Sequence, residues 1–81
     1  MSSNFDNDNV SVYDRLMRAW ENSMELTRDF QMYAERIPEG EVSDMFREFA
    51  EDEAMHAARL RSFLEKEQRS NQIEADRDLM F

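Results

Sequence analysis

The sequence predicts an all-α chain: a two-helix antiparallel hairpin that homo-dimerises into a four-helix bundle, within a larger oligomer. Three observations predict it. The 81 residues include one Gly and one Pro, and these, Pro38 and Gly40, lie two positions apart near the middle, so the chain has a single strong breaking point. On each side of that point apolar residues recur at spacings of three and four, the pattern of a helix with a buried stripe. A chain of this length also buries only a modest share of its surface, so a second copy is the expected source of further core.

Each element follows from local signals. Ser11 with Asp14 three residues later has the form of a capping box, which places a helix start at about Val12 and leaves Met1 to Val10 as a loose acidic arm. The first helix is expected over residues 12–36, with Val12, Leu16, Ala19, Ser23, Leu26, Phe30, Tyr33 and Ile37 as its seam. Beside that seam Tyr13, Met17, Trp20, Met24 and Thr27 widen the apolar face beyond what one partner helix covers, which implies a second interface.

The second helix is expected over residues 39–68, with Pro38 in its first turn and Glu39 and Glu41 against the positive end of its dipole. Its inward stripe reads Val42, Met45, Phe46, Phe49, Glu53, His56, Ala57, Leu60, Phe63 and Leu64. Ala50, Ala54, Ala57 and Ala58 keep one side thin enough for a neighbouring helix to approach closely. From Arg69 the chain turns polar, and the expectation is a tail over 69–81 that ends in the apolar tip Leu79, Met80 and Phe81.

Composition narrows the function classes. Nineteen acidic against ten basic residues give a net charge of -9, which repels phosphate backbones, so no nucleic-acid partner is expected. There is no Cys, which removes disulfides, thiolate metal sites and cysteine nucleophiles together. No apolar run approaches the roughly 18 residues of a membrane span, and the start is not basic and then apolar; a soluble cytoplasmic protein is expected. Seven Met residues and the aromatics at helical spacing read as packing groups.

The informative feature is that Glu53 and His56 interrupt the apolar stripe of the second helix. Residues three apart share a helix face, so a carboxylate oxygen and an imidazole nitrogen can meet one ion there. A carboxylate among Phe49, Ala57 and Leu60 is costly to bury without a cation or a hydrogen-bond network. The competing reading is a structural pair, with His56 in a core hydrogen bond and Glu53 reaching solvent.

The stretch from Phe46 to Leu60, with Glu53-Ala54-Met55-His56 at its centre, resembles the Glu-x-x-His helix of rubrerythrins and encapsulated ferritins, in the ferritin-like superfamily. The likeness covers about residues 12–68. It implies a ferritin-like four-helix bundle built from two hairpins around a di-iron centre shared between subunits, manganese being the other metal such a site takes. Glu53 would bridge or chelate the metal, His56 would be a terminal ligand, and the twofold partner would repeat both. The activity implied is Fe(II) oxidation, a ferroxidase reaction serving iron storage or protection from oxidative stress. An encapsulin shell is a partner that the resemblance implies, with the C-terminal tip read either as its docking peptide or as a frayed end that happens to be apolar.

One position departs from that pattern. The family's first-helix Glu lies about 30 residues before the Glu of Glu-x-x-His, and here Ser23 stands there. Among the nearby acids Glu21, Glu25 and Asp29, Glu25 is the candidate to replace it as a ligand, although all three project away from the Leu16 to Ile37 seam on an ideal helix. The alternative is a ferritin-like assembly module that has lost catalysis with its first-helix carboxylate.

Overall fold

The computed structural model describes residues 11–79, with side chains through residue 70. Helix α1 runs Val12–Arg36 and helix α2 runs Glu41–Leu79, and the two pack against each other as an antiparallel hairpin with no strand among the described residues. The expected capping holds at the start: the Ser11 hydroxyl accepts a hydrogen bond from the Asp14 amide at 3.0 Å. The arm over residues 1–10 and the last two residues of the apolar tip lie outside the described residues.

The turn is held by a hydroxyl that sequence reading missed. In α1 the Ala34 carbonyl would take the amide of residue 38, but that residue is Pro38, which has no N–H. The Ser43 hydroxyl, fully buried at 0 % exposure, donates to this carbonyl at 3.0 Å and supplies the missing hydrogen bond from the first turn of α2. Outside it, Arg47 clasps Glu39 at 2.9 Å and 3.2 Å and Asp44 at 3.1 Å. The hydrogen bonds and charge of Glu39, with Asp44 adding to them, raise the Arg47 pKa above its ordinary value.

Two boundaries of α2 differ from expectation. The helix begins at Glu41 rather than residue 39, since Pro38 and Gly40 both fall in the turn and Gly40 contributes its carbonyl to the Asp44 amide at 3.0 Å. It continues to Leu79 rather than stopping near residue 68, so residues 69–79 are helix and not an irregular tail. No Gly or Pro follows Gly40, and the Gln, Glu, Ala, Arg and Leu of this stretch are good helix formers. At Gln68 the side-chain amide donates to the Tyr13 hydroxyl at 3.2 Å, which ties this part of α2 to the start of α1.

The line of contact is rotated from the expected one. Buried residues are Ser23 and Ala34 in α1 and Ser43, Ala50, Ala57 and Leu64 in α2, a small-residue seam repeating every seven positions in the second helix. The expected seam members Val12, Leu26 and Tyr33, and the expected inward residues Val42, Met45, Phe49 and Phe63, are each more than a third exposed. Trp20 and Thr27, assigned from sequence to a flanking stripe, are half-buried instead. The alanine side forecast for close approach is the one used, through Ala50 and Ala57, while Ala54 and Ala58 stay exposed.

Aromatic groups lock the turn end. Phe30 stacks on Phe46 with centroids 5.9 Å apart and meets Phe49 edge-on at 5.8 Å, while Tyr33 meets Phe46 at 5.4 Å. At the open end the Arg61 guanidinium lies 5.3 Å from the Trp20 ring.

Even so, the chain exposes 6684 Å². A compact monomer of its mass would expose about 5,200 Å². A hairpin is a single layer, so one apolar face of it remains open.

Replacing Ser43 with Ala is expected to lower stability by about 1–3 kcal/mol, because it strands the Ala34 carbonyl in a buried place. Chemical denaturation at fixed protein concentration checks this; an unchanged midpoint would show that the hydroxyl does not hold the turn.

Candidate metal centre

Glu53 and His56 lie midway along α2, on the border between the seam and the open face. The Glu53 Oε1 is 3.5 Å from the His56 Nδ1. Two donors each about 2.0–2.2 Å from one ion are separated by roughly 3.0–3.5 Å, so the pair has the spacing of a two-donor set. The Glu53 side chain is 21 % exposed and that of His56 64 %, so the carboxylate is set against the hairpin and the imidazole reaches outward from it. The apolar flanks are as expected from sequence: Ala57 is buried and Leu60 half-buried.

Ser23 completes the local picture. It is 8 % exposed and lines, with His56, Arg59, Leu60 and Phe63, an open depression of about 400 Å³. The position 30 residues before Glu53 therefore shares a depression with His56, and it carries a hydroxyl where the resembled families carry a carboxylate. Two lining residues escaped the sequence reading in this role. Arg59 and Phe63 follow His56 by three and seven positions, and that same-face spacing was the signal that could have found them.

Glu25 is exposed and is not gathered to the site. Among the described residues no three of His, Asp and Glu converge on a point that could hold an ion, so neither Glu25 nor Glu21 nor Asp29 joins Glu53 and His56 within one chain. The reason is angular: Ser23 and Ala34 set the buried direction of α1, and Glu25 lies about 160° round the helix from it. One hairpin thus offers two protein donors. A family di-metal centre takes four carboxylates and two imidazoles. Two hairpins related by a twofold axis would offer two of each, which does not fit that donor set.

A helical hairpin bearing a Glu-x-x-His pair is a form that ferritin-like helical proteins take. The chain belongs to the rubrerythrin family, whose model matches residues 14–79. Domains of this family typically bind iron. No curated protein and no solved structure matches the chain. Among the described residues no helix is long and apolar enough to cross a membrane.

In the metal-free protein, Glu53→Leu is expected to leave stability unchanged or to raise it. The substitution removes a largely covered carboxylate whose ion-pair partner among the described residues is a mostly exposed imidazole. A thermal or denaturant midpoint that falls clearly would show instead that Glu53 is a structural group of the fold.

Proposed function

We propose that two copies of this hairpin pair through their open apolar faces and bind iron, or manganese in its place, between them. Glu53 and His56 of each copy would be the ligands. The observation that carries this reading is the position of the pair: a mostly covered carboxylate and an outward imidazole, 3.5 Å apart, on the border of a face whose large apolar residues lack cover. Leu26, Tyr33, Phe49 and Phe63 contribute to that face from both helices. Covering it with an identical face adds the core that a single layer lacks, and it moves both donor pairs out of water, where a cation is the group that offsets two carboxylates.

The chemistry of the donors suits this. Carboxylate oxygen and neutral imidazole are ligands of Fe(II) and Mn(II), and the acidic surface, with a net charge of -9, raises the local concentration of cations. Fe(II) oxidation, the activity that the family resemblance implies, draws on a fuller carboxylate set than these residues provide. Ser23 therefore favours metal binding and assembly over turnover.

Protein purified without chelators is expected to carry iron or manganese, and Glu53→Ala with His56→Ala to lose it, as read by elemental analysis. The reading fails if the parent carries no metal and takes up none when Fe(II) or Mn(II) is added. Leu26→Glu places a charge on the open face without touching the seam. It is expected to shift the oligomer towards monomer in sedimentation velocity and to lower metal content with it.

A further inference from the structure

We infer that the centre formed by two copies of this chain holds one divalent cation, not the pair of ions that the fold family implies. The inference rests on the proposed pairing of two hairpins through Glu53 and His56, and it concerns how many ions that pairing accepts.

The argument is a charge count at a defined place. Two ions side by side, about 3.5–4 Å apart in a two-metal site, repel strongly unless carboxylates bridge and neutralise them. In the family arrangement four carboxylates match the charge of two divalent cations. Here Ser23, buried and neutral, shares the depression with His56, so among the described residues each chain brings one carboxylate, Glu53, to the pair. Two such carboxylates balance a single divalent cation and leave a second one uncompensated.

The rest of the depression adds no negative charge. Its lining beyond Ser23 and His56 is Leu60, Phe63 and Arg59, two apolar side chains and a cation. No third Asp or Glu converges on Glu53 and His56 among the described residues, so no acid of the same chain replaces the absent ligand. A low-dielectric lining strengthens the repulsion between two cations, and the Arg59 guanidinium at the rim adds to it. Two carboxylates and two imidazoles also make a complete four-donor set for one first-row divalent ion, with no position left that needs a second metal.

The test is stoichiometry on the full chain, with Mn(II) as the probe. Titration under dialysis is expected to saturate at one ion per two chains, and the bound ion is expected to show the resolved hyperfine pattern of isolated Mn(II) in electron paramagnetic resonance. Saturation at two ions per two chains, with the broadened signal of a coupled pair, would overturn the inference while leaving the shared site standing. No uptake at all would overturn the shared site itself, and the single-ion inference with it.

Ser23→Glu restores the carboxylate and is expected to raise the plateau from one ion to two per pair of chains. A folded Ser23→Glu protein that still saturates at one would remove Ser23 as the cause. Should that variant fail to fold, the parent titration and its spectrum decide the matter alone.

Discussion

Everything in this molecule depends on the limited cover that two helices can give each other. A pair of helices shares a line of contact, and here the line is made of small groups: Ser23, Ala34, Ser43, Ala50 and Ala57, with Leu64 as the one large buried side chain among the described residues. Small residues let the backbones approach, but they bury little apolar area, so close packing of the hairpin and a self-sufficient core are mutually exclusive. The large side chains are displaced to the edges of the line. There they stabilise the two ends, through the Phe30–Phe46–Phe49 group and through Trp20 under Arg61, or stand open on one face.

The same constraint explains why the Glu53–His56 pair sits where it does. A residue on the seam itself would meet Ala or Ser and have no room for an ion, while a residue on the far side would meet only water. Glu53 and His56 occupy the border, where the carboxylate is covered by its own hairpin and the imbalance of charge is left for something outside the chain to satisfy. Membership of the rubrerythrin family fits this arrangement, and the hydroxyl of Ser23 is where the chain leaves the arrangement of donors expected of that family. Metal capacity and fold are therefore separable here: the helices do not need the carboxylate that the resembled centres use.

The turn shows a second economy of the same kind. Pro38 ends α1 by removing a donor, and the carbonyl left behind is capped by Ser43 from the next helix. The breaking of one helix and the docking of the other are thus one event at one carbonyl. Arg47, wrapped on Glu39 and Asp44, adds an exposed clasp of small energetic weight.

By itself, the sequence determined the number of helices, the position of the turn, the cap at Ser11, and the nearness of Glu53 to His56. These are set by backbone chemistry and by the helical period, both local, and Pro38 with Gly40 leaves little choice between them. Ser23 is singled out through the family resemblance, as the position about 30 residues before Glu53, and the structure sets it in one depression with His56.

What only the tertiary structure decided was which apolar stripe faces which. Both stripes of α1 have helical spacing, so periodicity cannot rank Leu26 and Tyr33 against Trp20 and Thr27. The choice fell to the close fit of Ser23 and Ala34 against Ala50 and Ala57, a matter of shape across the pair that no single helix encodes. The extension of α2 to Leu79 follows from the absence of any Gly or Pro after Gly40, whereas hydrophobic patterning, which fades after Leu64, placed its end near Gln68.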